Sequence, residues 1–252
     1  MNACRADRLL HDPGALARAV RDFGAAAGTP DAAVAASLFA QAWAVCVTRP
    51  ALAPLVAGRR VADTGAANTV LLFDARHRPV GAVPVTPRFA ARADDGLAAG
   101  DPWAELVAGD DAVFAWARAR MFDRHLATLV GVLRELAPVG ERLLWGNVAA
   151  AVAGGFAALS ARADVAATAG PDRLRADAAR LLDQPGSPTE GLASLFPVTR
   201  AGVTRLFVRR QTCCLRYRLP DAPPTCLSCR LRPEPDRPRR DGVQRPAFIT
   251  CP

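Results

Sequence analysis

The 252-residue chain contains no lysine, and all 32 of its side-chain cations other than histidine are arginines. It has one isoleucine (Ile249) and one tyrosine (Tyr217) beside abundant alanine and arginine. That bias matches a GC-rich genome, so arginine preference alone carries no message about nucleic acid. No run of about 20 residues is free of charge, proline and glycine, which predicts no transmembrane helix. The nearest candidate, Val148–Leu159, is short and contains Gly154–Gly155. The first ten residues carry charges throughout and lack an apolar segment, so a secretory signal is not expected. The three histidines, His11, His77 and His125, are scattered. There is no glycine-rich phosphate loop and no H-E-x-x-H, so no nucleotide, flavin or acid–base set is legible.

What is present is unevenly placed. Residues 1–199 hold 20 arginines and 20 acids, whereas residues 200–252 hold 12 arginines and 4 acids, so the whole net charge of +8 sits in the last fifth of the chain. Five of the seven cysteines are there too: Cys213, Cys214, Cys226, Cys229 and Cys251. Without a secretion signal, an odd number of cysteines gathered at one end favours a metal or redox site in a reducing compartment over a disulfide framework. A hydrophobic content of 51% excludes wholesale disorder and suffices for a substantial core.

The periodicity predicts helices over Gly14–Phe23, stopped by Gly24, and over Ala32–Val47, capped by Asp31 and ended by Pro50. Asn68–Asp74 and Val80–Val85 read as a hairpin, with Pro84 marking an edge strand. Helices resume at Pro102. A long one, capped by Asp110 or Asp111, runs to Leu136, followed by Glu141–Ala161 and Pro171–Leu182. Gln184–Gly191 is a linker by composition. Val203–Val208 reads as a strand with Cys214–Leu219 as its partner, and the arginine- and proline-rich residues beyond Leu231 read as an unstructured tail. The fold class expected is α+β: a helix-dominated body, a small antiparallel sheet or hairpins, and a cysteine-rich C-terminal segment.

The cysteines follow C-C-x11-C-x2-C. Two residues between Cys226 and Cys229 let both sulfurs turn toward one ion. Adjacent cysteines in a strand point to opposite faces, so Cys213 and Cys214 serve one site only if the backbone kinks or the site holds two metals. The spacing leaves three readings open: a 2Fe-2S cluster with two ligands per iron, a structural zinc, and buried thiols or a redox disulfide. Other features read as ordinary. Trp43, Trp103 and Trp116 are core or interface aromatics, Cys4 and Cys46 structural thiols, and Cys251 an incidental tail thiol. Asp94–Asp95 and Asp110–Asp111 are caps or turns, and Arg237–Arg240 a solvated stretch diluted by Glu234, Asp236 and Asp241.

The segment Arg209–Arg210, Cys213–Cys214, Leu215-Arg-Tyr-Arg-Leu-Pro220, Cys226 and Cys229 resembles the FhuF-type siderophore–iron reductases. Leu144-Trp-Gly-Asn-Val148 resembles that family's middle region. The resemblance covers about residues 30–231. Three features depart from the family: a spacer one residue longer than usual, Pro223–Pro224 where glycines are common, and Arg230 where proline is frequent. The resemblance implies that Cys213, Cys214, Cys226 and Cys229 hold a 2Fe-2S cluster. It implies one-electron reduction of a ferric siderophore by an oxidoreductase of the cytoplasm.

Division of the chain would follow: a mainly helical siderophore-binding scaffold over 1–191, the cluster segment over 192–231, and a flexible tail over 232–252. Arg209, Arg210, Arg216, Arg218 and Trp145 are the candidates for docking the chelate or an electron donor. Electrons would come from a ferredoxin-like protein or a soluble reductant, no nucleic acid is expected, and peripheral association with a membrane or transporter is compatible. Two further readings stand beside this one: a zinc-stabilised binding module, and a siderophore-binding protein without reductase activity.

Overall fold

The computed structural model describes residues 2–166, 168–222, 225–226 and 228–232. The elements in chain order are β1 (Asn2–Arg5), α1 (Ala6–Leu10), α2 (Pro13–Ala26), α3 (Ala32–Gly58), β2 (Val61–Ala62), β3 (Thr69–Phe73), β4 (Pro79–Pro84), β5 (Phe89–Arg92) and β6 (Ala104–Val107). There follow α4 (Gly109–Arg118), a π-helical turn (Ala119–Leu126), α5 (Ala127–Leu136), α6 (Glu141–Ser160), α7 (Ala163–Ala166), α8 (Pro171–Leu182), β7 (Ala193–Arg200) and β8 (Val203–Arg210). The fold is α+β. Sheets β1-β3-β4 and β7-β8 are antiparallel, and β2-β5-β6 is mixed, with β5 and β6 parallel.

The α3–α6 pair forms the centre. Asp31 caps α3 as its sequence position predicts, accepting from the amides of Ala33 and Val34. The helix does not stop at Pro50; it runs through Pro50 and Pro54 to Gly58. Each proline deletes a helical hydrogen bond, but Ala51, Leu52, Leu55 and Val56 all lie in the core, and their burial offsets that loss. Gly24 likewise does not end α2. It sits inside the helix, where a Cβ would stand 2.8 Å from that of Ala35, so it is a close-approach residue and not a stop. Gly155 plays the same part on α6, where an added methyl would overlap Leu52. α3 and α6 are long and apolar enough to span a bilayer, contrary to the sequence expectation, but 72% of each apolar window is buried inside the protein. Their apolar surface is consumed in packing on each other.

The hairpin β3–β4 forms as expected, with β4 at the edge. Four expectations are corrected. Chain after Pro102 forms β6 and not a helix, and the Phe89 amide at the start of β5 donates to the Trp103 carbonyl at 3.1 Å. Asp110 and Asp111 lie in the first turn of α4, not at its cap, which is Ala108. The single long helix is broken by the π-turn, which seats His125 against Trp43. Finally, the partner of β8 is β7, not Cys214–Leu219. Pro197 lies within β7, which is possible because a two-stranded sheet has only edges, where proline is tolerated. Ala201 and Gly202, at φ 47° and 75°, make the tight turn between them. Of the expected tail over 232–252, residues 233–252, Cys251 among them, lie outside the described residues.

Candidate metal centre

β8 runs along α6 and is pinned to it at two points. At mid-strand the Leu206 amide donates to Ser160 Oγ at 2.9 Å; at the last residue the Arg210 guanidinium donates to Asn147 Oδ1. Alternation puts Leu206 and Arg210 on the same inward face, and both are buried. Past Arg210 the chain leaves the strand and bends at Gln211 and Thr212. Thr212 presses onto α6 at Gly146, where a methyl group would collide with its hydroxyl and lie 2.7 Å from its Cβ. Gly146 therefore lets the residue before Cys213 reach the helix.

Cys213 and Cys214 thus lie outside any strand, which removes the objection that neighbouring side chains diverge. Ser37 of α3 donates to the Cys214 carbonyl at 2.8 Å, anchoring the pair to the core. Leu215 adopts the left-handed conformation at φ 63°, and its amide reaches Cys213 Sγ at 3.3 Å. The Arg216 amide points at Cys214 sulfur and favours its thiolate. A short 3-10 turn, Arg216–Arg218, follows. The second knuckle closes through the Cys229 amide to the Cys226 carbonyl at 3.0 Å, and the Arg210 amide to the Ser228 carbonyl at 3.3 Å ties it to the end of β8.

The two knuckles meet at Cys214 and Cys226. The neighbouring Cys226 sulfur, together with burial, pushes the Cys214 thiol far up. The Cys214 sulfur, with help from the Ser228 hydroxyl, brings Cys226 down to about 7 against the opposing effect of burial. Among the described residues no group of three or more His, Cys, Asp or Glu surrounds a single point. The sulfurs converge as a pair across two loops, not as a tetrahedral cage. Soft thiolates, backbone amides aimed at two of them, and a buried guanidinium beside them fit a sulfur-ligated, anionic group.

The five residues expected at a docking surface divide. Arg209 is exposed and lies over the Phe196 ring at 5.2 Å; Arg218 is exposed and pairs with Asp31 at 3.0 Å; Arg216 is half-buried. Trp145 and Arg210 are only 5% and 4% exposed, so they do not form a surface. Trp145 packs edge-on against Phe122. Sequence reasoning missed Ser37, Thr212 and Ser228, and gave Asn147 no role. The signal available for Asn147 was its place beside Trp145 and Gly146.

A helical body presenting a thiol pair at the edge of a small sheet defines a class of protein suited to redox or soft-metal chemistry. Comparison with known families matches residues 37–211 to "Ferric iron reductase FhuF-like transporter". That is about two thirds of the chain, and the chain belongs to this family. A search of curated proteins finds no match. The matched segment opens at Ser37 and closes at Gln211, so it spans Ser37, Asn147 and Arg210 and ends two residues before Cys213.

Proposed function

We propose that this ferric-reductase family member reduces the Fe(III) of a siderophore by one electron, using a 2Fe-2S cluster held by Cys213, Cys214, Cys226 and Cys229. The observation that carries the reading is the meeting of the two cysteine knuckles at Cys214 and Cys226 on a scaffold of that family. When bound, such a cluster supplies a one-electron carrier whose ligated charge goes from −2 to −3.

The chain's own residues supply the rest. Ser37 and Gly146 hold the first knuckle against the core, and the Leu215 and Arg216 amides stabilise charge on Cys213 and Cys214. Residues 200–230 carry seven arginines and one acid, and fixed positive charge favours the more negative, reduced state. Exposed Arg209 and half-buried Arg216 face outward beside the knuckles, where an anionic chelate or acidic donor would dock. Hard Fe(III) binds the oxygen donors of a siderophore tightly and Fe(II) far less, so one electron per ion from an external ferredoxin-like protein or soluble reductant releases ferrous iron. No acid, base or nucleophile is required. In this reading residues 1–191 are the scaffold, residues 192–231 carry the cluster, and the protein works in the cytoplasm.

Anaerobically purified protein should be red-brown, bleach with dithionite and show an EPR signal on reduction. The reduced form should yield ferrous iron from a ferric siderophore, trapped by a ferrous chelator. A colourless protein with stoichiometric zinc refutes the cluster. A coloured protein that binds the chelate without reducing it leaves a binding role alone.

A further inference from the structure

We propose that Arg210, held by Asn147 and Ser37, is the positioning residue that sets the reduction potential of the cysteine site, and that the exposed arginines contribute less. The inference rests on the cluster reading above and assigns its electrostatics to one side chain.

Arg210 is a buried cation with an unusual set of partners. One terminal nitrogen donates to Asn147 Oδ1, and its Nε has no hydrogen-bond partner. Among the described residues no carboxylate lies within ion-pair distance of it. The comparison with Arg59 is direct: that half-buried guanidinium holds Asp177 at 2.6 Å and Asp110 at 2.8 Å. A buried charge without a counter-ion is strongly destabilising, unless an anion completes the site. The groups beside it are the cysteine knuckles: Cys213 follows three residues on, and the Arg210 amide donates to the Ser228 carbonyl between Cys226 and Cys229 at 3.3 Å, so its charge favours the thiolates of both Cys214 and Cys226.

Its placement is fixed by a polar chain with one consistent direction. Asn147 Nδ2 donates to the Ser37 carbonyl at 2.8 Å and to Ser37 Oγ at 3.0 Å, so its oxygen must face Arg210. Ser37 has one hydroxyl proton and spends it on the Cys214 carbonyl. The same two-residue chain, Asn147 and Ser37, that orients the guanidinium therefore also holds the first knuckle. Ser37 and Asn147 are fully buried, so water does not screen the arrangement as it screens surface charge. By contrast Arg218 is exposed and already neutralised by Asp31.

The test is an EPR-monitored potential titration of holoprotein. Arg210→Gln keeps a donor for Asn147 and removes the charge. At the wild-type midpoint its reduced-to-oxidised ratio should fall at least tenfold, which is about 59 mV for one electron. Arg210→Lys should restore most of the shift, and Arg216→Gln should move the potential less than Arg210→Gln. Asn147→Asp keeps the guanidinium but sets a carboxylate against it, so it should shift the potential in the same direction as Arg210→Gln. Intact spectra with an unchanged midpoint in Arg210→Gln overturn the proposal, as does a lysine variant no different from the glutamine one. Loss of the cluster in both Arg210→Gln and Asn147→Asp makes the role purely structural and also overturns it. A colourless wild type removes the cluster reading itself, before any variant is compared.

Discussion

Cys214 and Cys46 are both buried thiols, but only one has a partner. Burial pushes Cys46 up to about 11, which makes it inert, whereas Cys214 lies against the Cys226 sulfur. Cys214→Ser or Cys229→Ser should abolish visible absorption and iron content, while Cys46→Ser leaves both intact; equal loss in all three would break the assignment. His125 is a second buried titratable residue. It accepts from Trp43 Nε1 at 2.9 Å through Nε2, so its Nδ1 carries the proton and donates to the Thr64 carbonyl at 2.6 Å. Burial, only partly offset by that carbonyl, lowers its pKa from 6.5 to about 4. The folded state thus resists protonation that the unfolded chain accepts. Stability falls as pH drops from about 6.5 to about 4, by about 3 kcal/mol from this residue. Urea midpoints measured between those pH values should fall less steeply in His125→Gln than in the wild type.

Helix α6 shows how one element serves both core and site. Along it Gly146 admits Thr212, Gly155 admits Leu52, and Gly154 has no neighbouring atom within 4 Å of a Cβ position. Alanine at these three positions should therefore act differently. Gly154→Ala should stabilise by up to about 1 kcal/mol through helix propensity, and Gly155→Ala should destabilise by about 1–3 kcal/mol through overpacking. Gly146→Ala should cost a similar amount and also displace the Cys213–Cys214 knuckle, so it alone of the three should lower iron content. Urea melts paired with iron analysis separate the outcomes. The α3 helix carries the complementary lesson, since Pro50 reads as a stop after Val47 and packing carries the helix eleven residues further, to Gly58.

At the scale of the whole molecule, charge is segregated. Acids and arginines of the body pair with one another, as in Arg60–Asp95 at 2.6 Å and Arg134–Glu141 at 2.7 Å. Most of the excess, +6 of +8, lies in residues 200–230, the segment that holds the four cysteines. Fields of this kind steer anionic partners and weaken with salt. Electron delivery from an acidic donor protein should slow as ionic strength rises from about 0.01 M to about 0.15 M, over which the screening length shrinks from about 30 Å to about 8 Å. Delivery from a neutral small reductant should not. Arg209→Gln should flatten the salt dependence; an unaltered slope would move docking elsewhere.

Composition and spacing by themselves determined the α+β class, the Asp31 cap of α3 and the hairpin at β3–β4, because these follow from local periodicity and local hydrogen bonding. They also single out four cysteines as the candidate site, because no other part of the chain groups sulfur so densely. Tertiary structure alone decided that Arg210 and Trp145 lie inside, that β7 pairs with β8, and that Ser37, 177 residues before Cys214, holds its carbonyl. The physical reason is common to all three. Burial and long-range hydrogen bonds depend on which elements share a face, and a pattern of period two or 3.6 says which side of an element is inward without naming what it meets there.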